Sequence, residues 1–214
     1  MGRVIRGIIR YDGESFAGWQ KQPDRRTVQG ELERLLSLMA GQPIVVKGAS
    51  RTDAGVHAFG QVFAFNWPDH LDDSRLIRSL SRMMGPEARV DRLEPAPEGF
   101  HPIADALGKR YAYSLCISRY ADPFTRRHAW QVPWRLDLDI LERSASRLVG
   151  RRDFAGFQSR GSPSKTTVRT LIATRLVQGC SVGPIEVDGL WRLELVGDGF
   201  LYHMARNIAG TLIN

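Results

Sequence analysis

The chain has 214 residues, 43% of them hydrophobic and 25% charged, and its 30 Lys and Arg against 23 Asp and Glu give a formal charge of +7. That balance fits a soluble globular protein with a proper core and argues against a disordered or fibrous chain. The length suits one large domain or two small intimate ones, and no stretch approaches the roughly 20 apolar residues of a membrane helix.

Val4 to Tyr11 reads as a strand closed by the turn pair Asp12-Gly13. Gly18-Trp19-Gln20 and Pro23 continue irregularly, and Thr27 is the expected N-cap of a helix. Val28, Leu32, Leu35, Leu36 and Met39 follow at helical spacing until Gly41 stops the run. Ile44 to Val46 is a short strand, and Gly60 to Phe65 is another with Phe63 and Phe65 on one face. Asp73 or Ser74 begins a helix carrying Leu76, Ile77, Leu80, Met83 and Met84, ended by Gly85.

A second round starts near Gly108. Tyr111, Tyr113, Leu115 and Ile117 alternate along a strand, Arg110 to Ser118. Leu138, Leu141, Ala145, Leu148 and Val149 suit a helix stopped by Gly150. Val168 to Val177 and Leu190 to Val196 read as strands. The turn Asp198-Gly199 leads into a helix from Phe200 to Leu212, with Phe200, Met204, Ile208 and Leu212 on one side. The expected class is α+β, with two halves, 1–107 and 108–214, sharing one largely antiparallel sheet with flanking helices.

Several chemistries are excluded by absence. No Gly-Lys pair precedes Ser or Thr, so there is no Walker A loop. Gly197-Asp198-Gly199 lacks the third glycine of a dinucleotide fingerprint. No His-x-Glu with Cys-x-x-Cys occurs, and His57, His70, His101, His128 and His203 show no metal spacing. Cys116 and Cys180 alone make neither a disulfide framework nor a Cys-rich zinc site, which fits a reducing compartment. Arginines interrupt the apolar run of Met1 to Arg6, so it is no signal peptide and the cytoplasm is expected. The chemistry is expected to need no cofactor and no metal.

The charge is clustered. The window 109–135 holds Lys109, Arg110, Arg119, Arg126, Arg127 and Arg135 against Asp122. The window 151–178 holds Arg151, Arg152, Arg160, Lys165, Arg169 and Arg175 against Asp153. Each carries +5, and the remainder of the chain is −3. With a sequence pI near 9.9, this points to a polyanion, usually nucleic acid. Tyr111, Tyr113, Tyr120, Phe124, Trp130, Trp134, Phe154 and Phe157 are interleaved there. Such rings either build the core or stack exposed bases.

Within this basic chain, Gly48-Ala49-Ser50-Arg51-Thr52-Asp53-Ala54-Gly55-Val56-His57-Ala58 places a carboxylate on a flexible segment between two strands. Asp53 is either a turn residue or a reacting group. A carboxylate facing phosphate is a liability unless it is paired or does chemistry on the base.

The stretch Arg51-Thr52-Asp53-Ala54-Gly55-Val56-His57-Ala58 resembles the signature of bacterial tRNA pseudouridine synthases of the TruA type. Tyr11-Asp12-Gly13, Gly18-Trp19-Gln20 and Thr27-Val28-Gln29 resemble the opening of that family. Phe100-His101-Pro102 with Lys109-Arg110-Tyr111-Ala112-Tyr113 resembles its tyrosine motif, and Asp153-Phe154-Ala155-Gly156-Phe157 its following loop. Gly199 to Leu212 is similar to its late helix. The likeness runs in order from residue 4 to the end.

The resemblance implies the pseudouridine synthase fold around a central basic cleft, with Asp53 as nucleophile toward a uridine turned out of the RNA stack. The uracil is detached from C1′ through N1, turned, and rejoined through C5. Asp53 attacks either C6 of uracil or C1′ of the ribose, and the sequence leaves both open. Arg51 fills the vacated space, Tyr111 packs against the base, and Arg206 keeps the carboxylate ionised. Phe200, Leu201 and His203 line the base pocket. Lys109, Arg110, Arg126, Arg127, Arg160 and Lys165 contact the RNA backbone. The implied substrate is the anticodon stem-loop of tRNA at positions 38 to 40, bound across a homodimer. The family continues past Gly210-Thr211-Leu212 with another helix and strand, so a shortened C-terminus is expected at Asn214. An RNA-binding module with a dead site is the rival, and the joint presence of Asp53, Tyr111 and Arg206 argues against it.

Overall fold

A computed structural model describes residues 2–161, 164–179 and 189–214. Cys180 lies outside them. The chain divides into two compact units, Met1–Ala106 and Leu107–Asn214.

The first unit is built on β1 (Gly2–Tyr11), α1 (Val28–Ala40), β2 (Val46–Gly48), β3 (Ala58–Pro68), α2 (Leu76–Met83) and β4 (Ala88–Pro95). Its sheet has the order β2-β3-β1-β4, all antiparallel. Alternation along β1 buries Ile5, Gly7, Ile9 and Tyr11 and leaves Arg6 and Arg10 exposed. Those arginines pair across the strand with Glu94 at 2.6 Å and Asp91 at 2.7 Å. α1 begins as expected: the Thr27 hydroxyl accepts from the Gly30 amide at 3.2 Å. It ends at Gly41, whose φ of +65° is the left-handed conformation a glycine adopts freely. Its buried stripe of Val28, Leu32, Leu35 and Leu36 packs with Phe63, Phe65 and Trp67 of β3. Truncating any of these leucines to alanine costs about 2–5 kcal/mol.

The second unit holds β5 (Lys109–Ile117), β6 (Trp130–Val132), α3 (Leu138–Ser146), β7 (Gly150–Asp153), β8 (Val168–Gln178), β9 (Leu190–Gly197) and α4 (Met204–Ile213). Its sheet runs β6-β5-β9-β8-β7. The β5–β6 pair is parallel and the others antiparallel. Leu115, Leu171, Leu193 and Leu195 form the floor of a core closed by Leu141, Ala145, Met204, Ile208 and Ile213.

The α+β class holds, but several expectations change. The ladders of the described residues form two sheets, of four and five strands, rather than one shared sheet. α2 starts at Leu76, because the Ser74 amide and hydroxyl bond back to Asp72 at 2.9 and 2.6 Å in a turn of their own. The strand placed at Ile44 to Val46 is instead Val46–Gly48. α3 stops at Ser146, which leaves Leu148 and Val149 beyond it. α4 begins at Met204, not Phe200, because His203 sits at φ +60° and breaks the helical path. Ile213, rather than Leu212, is the buried residue at its end. No described helix is long and apolar enough to cross a membrane. Among the described residues, no group of three or more His, Cys, Asp or Glu side chains is placed to hold a metal.

Candidate active site

In the first unit, the candidate segment is the loop between β2 and β3. β2 and β3 pair from Val46↔Phe65 to Gly48↔Phe63, and the Ala49 amide donates to Val62 O at 2.8 Å. The chain then departs, and the Gln61 side chain donates to Ser50 O at 2.6 Å. Arg51 is exposed, and Thr52 and Asp53 are half-buried. Asp53-Ala54-Gly55-Val56 forms a turn in which the Val56 amide donates to Asp53 O at 3.2 Å. Gly55 takes φ +78°, which a side chain would resist.

Residues 11–19 press against that loop. The Trp19 amide donates to Thr52 O at 3.0 Å, and the Tyr11 hydroxyl lies 2.8 Å from Thr52 Oγ1. The Gly13 amide donates to His57 Nδ1 at 3.2 Å, and Asp12 Oδ1 is 3.0 Å from the same nitrogen. The approach is close enough to require glycine. A Cβ on Gly13 would fall 2.3 Å from Val56 O, and one on Gly18 would fall 2.7 Å from Thr52 O. Asp53 is thus held on a tied loop rather than on a loose surface excursion.

In the second unit, the relevant residues gather at one end of the sheet, where β5 starts and β9 ends. Lys109 pairs with Gly197 and Tyr111 with Leu195. The Tyr111 ring meets Phe200 edge to face, with centroids 4.7 Å apart. Lys109 is half-buried. Burial, and secondarily the nearby Arg169 guanidinium, holds its ammonium below the ordinary lysine value. Arg169 is itself fixed to Val168 O at 2.7 Å and Thr166 O at 3.1 Å.

The segment after β9 is tied to the Phe154–Ser159 loop. The Ser159 amide donates to Tyr202 O at 3.1 Å, and the Asn207 side chain donates to Phe157 O at 2.9 Å. His203 Nδ1 lies 3.1 Å from Ser159 Oγ, and the ring stacks on Tyr202 at 3.8 Å. Asp153 caps the loop, accepting from the Ala155 amide at 3.0 Å. Its hydrogen bond from Thr167, then that from Ala155, holds its carboxyl below the usual value.

Arg51 and Asp53 share one loop of the first unit, and Tyr111 and Phe200 touch in the second. Leu201 is 4% exposed and belongs to the core of the second unit, while His203 is half-buried beside it. Arg206 is exposed on the first turn of α4. Arg126, Arg127, Arg160 and Lys165 are exposed. Arg110 lies on the opposite face of β5 from Tyr111, 4.0 Å from Glu194, so the six backbone-contact candidates do not share one face. Tyr120, Phe124 and Trp134 are exposed, whereas Phe154 is in the core.

Sequence reasoning gave no role to Tyr11, Thr52, Ser159 or Asn207. Tyr11 carried a usable signal: a buried strand tyrosine needs a partner for its hydroxyl. The partners of the others come from distant segments.

A family model for tRNA pseudouridine synthase matches residues 8–102 and 144–214, which includes Asp53 and Arg206 but not Tyr111. The chain is 40% identical over 210 residues to tRNA pseudouridine synthase A 1 of Protochlamydia amoebophila (strain UWE25), covering 96% of this chain and 79% of that protein. It is 43% identical over 212 residues to tRNA pseudouridine synthase A of Cutibacterium acnes (strain DSM 16379 / KPA171202), covering 95% and 72%. Against tRNA pseudouridine synthase A of Acetivibrio thermocellus it is 37% identical over 211 residues, covering 99% and 83%.

Proposed function

The chain belongs to the tRNA pseudouridine synthase family, and we propose that it converts uridine to pseudouridine at positions 38, 39 and 40 of the tRNA anticodon stem-loop, with Asp53 as the nucleophile. The enzyme is an RNA uridine isomerase. The reaction is a rearrangement within one nucleoside, so it consumes no redox equivalent and no high-energy phosphate.

The observation that carries the reading is the tied Asp53 loop. A nucleophile must be held where its target comes to rest, and a small misplacement costs much of the rate. The segment around Asp53 is tied at Thr52 by one backbone and one side-chain contact, at Val56 by the turn's own hydrogen bond, and at His57 through its ring. The target base leaves the stack to meet the carboxylate. Arg51, exposed two residues away, takes the space the base vacates. Tyr111, with Phe200 against its edge, packs on the extruded uracil, and His203 and the rim supported by buried Leu201 complete the base pocket. Arg206 supplies the guanidinium that keeps the carboxylate ionised. Lys109, Arg126, Arg127, Arg160 and Lys165 neutralise phosphates from a basic cleft, with Arg110 contributing from the other face of its strand. The protein works in the cytoplasm as a homodimer with tRNA crossing between protomers.

Asp53→Asn tests this directly. Pseudouridine formation is expected to fall by at least about 10³-fold while tRNA binding is retained. Turnover near the parental rate would remove Asp53 from the chemistry. Mapping modified uridines in tRNA from cells lacking the protein tests the substrate. Loss confined to positions 38 to 40 supports it, and loss elsewhere moves the target.

A further inference from the structure

We propose that Tyr11 and His57 are positioning residues for the isomerisation, clamping the Asp53 loop from its two sides. This rests on the reading of Asp53 as the nucleophile. Neither residue needs to touch the substrate; each acts on the backbone that carries the carboxylate.

On the N-terminal side, the Tyr11 ring is 5% exposed and packs against Phe16 and Trp19, with centroids 6.1 and 6.3 Å away. A phenylalanine would fill that apolar site equally well. The hydroxyl is what reaches Thr52 Oγ1, 2.8 Å away and one residue before Asp53. The Trp19 amide holds the carbonyl of the same Thr52. Both the side chain and the backbone of Thr52 are therefore tied to one packed aromatic group.

On the C-terminal side, His57 Nδ1 faces two groups of the 12–13 turn. It accepts from the Gly13 amide when that nitrogen is bare, and it donates to Asp12 Oδ1 when that nitrogen carries a proton. Either way the ring is tied to the turn. The turn is itself anchored: the Asp12 amide donates to Glu87 O at 2.8 Å, and Asp12 Oδ1 accepts from the Glu14 amide at 3.1 Å. Between the two ties, the Asp53–Val56 turn closes on its own hydrogen bond of 3.2 Å. With both flanks fixed, the backbone position from which the Asp53 side chain projects is set.

The experiment uses the intact protein with tRNA under steady-state and single-turnover conditions. Tyr11→Phe removes only the hydroxyl and is expected to lower kcat by about 10- to 100-fold with KM within about twofold. Its thermal midpoint should stay close to the parent's. Thr52→Val should do the same. The double variant should lose no more than the worse single variant, because both remove one contact. His57→Leu should lower kcat, and His57→Asn, whose amide oxygen replaces Nδ1 as an acceptor for the Gly13 amide, should restore most of it.

Parental kcat in both Tyr11→Phe and His57→Leu overturns the proposal. So does an additive double variant, or a loss of activity that follows the unfolding midpoint with no rescue by asparagine. Asp53→Asn run alongside separates the two ideas. An inactive Asp53→Asn with fully active clamp variants defeats the clamp alone, whereas an active Asp53→Asn defeats the nucleophile assignment beneath it.

Discussion

Glycine is demanded by the loops around Asp53 and merely tolerated at Gly156 and Gly199 of the second unit. A Cβ on Gly13 would strike the Val56 carbonyl at 2.3 Å, and backbone cannot yield as a side chain can. In the second unit, a Cβ on Gly156 would meet nothing within 4 Å, and one on Gly199 would meet only the Arg169 side chain at 3.4 Å. The first region aims its carboxylate by interlocking backbone. The second carries its tyrosine on a paired strand with the Phe200 ring against it, while side-chain hydrogen bonds of Asn207 and Ser159 tie the neighbouring segments together. On the proposed reading, precision belongs to the part that makes bonds, and adaptability to the part that meets a large, variable polyanion.

The sharpest difference concerns salt. Both +5 windows lie in the second unit, whereas Arg6 and Arg10 of the first sheet are already paired with carboxylates. If about six phosphates are engaged, tRNA affinity should drop by roughly 10³-fold between about 50 and about 200 mM salt. Alanine at Arg126, Arg127, Arg160 and Lys165 together should flatten that slope. Alanine at Arg6 and Arg10 should leave it unchanged. Fluorescence anisotropy across a salt series reads both, and a flat response in the parent protein would remove the phosphate-tracking role.

Next in size is the glycine contrast. Gly13→Ala should cost about 1–3 kcal/mol of stability and depress turnover, because either the 12–13 turn or the Asp53 loop must shift. Gly156→Ala should stay within about 0.5 kcal/mol and leave turnover intact. Urea unfolding with paired activity assays decides this. Equal effects at the two positions would erase the distinction drawn above.

The smallest effect is a pH dependence at Lys109. Its ammonium is held below the ordinary value, first by burial and then by Arg169. A bound phosphate favours the charged form. Affinity for tRNA should therefore weaken by a few-fold as pH rises through the lowered value, and Lys109→Arg should resist that loss. Stability runs the other way. The unfolded chain holds this proton more tightly, so the lysine's contribution to stability grows as pH climbs from the lowered value toward the ordinary 10.5.

What the sequence disclosed follows from where each signal is stored. α1 was legible because its cap, stripe and terminal glycine are all local. β4 went unread for a specific reason. Its register against β1 shifts between Ile8 and Ile9, so Asp91 is an extra residue, and Val90 and Leu93 fall out of the two-residue period. β6 has only three residues, and β7 is an edge strand that starts at a glycine and exposes all three of its side chains, so neither presents a readable apolar pattern. The end of α4 was readable from Met204 and Ile208, but its start depended on the left-handed backbone of His203, which no propensity anticipates. At the site, motif likeness drew attention to the segment around Asp53. The Tyr11–Thr52 and Gly13–His57 contacts join residues 41 and 44 positions apart, beyond the reach of any local pattern.

The pinning of Thr52 has a bearing on how the protein withstands degradation. Arg51 offers trypsin an exposed basic side chain, yet the peptide bond it marks leads straight into a residue gripped by Trp19 and Tyr11. A protease must straighten several residues before it can cut, and here that means breaking the ties of Thr52 to the buried Tyr11 and to the Trp19 amide. Limited digestion should accordingly spare Arg51 and nick the exposed Arg126–Arg127 stretch first, leaving the Asp53 loop among the last parts of the chain to be severed.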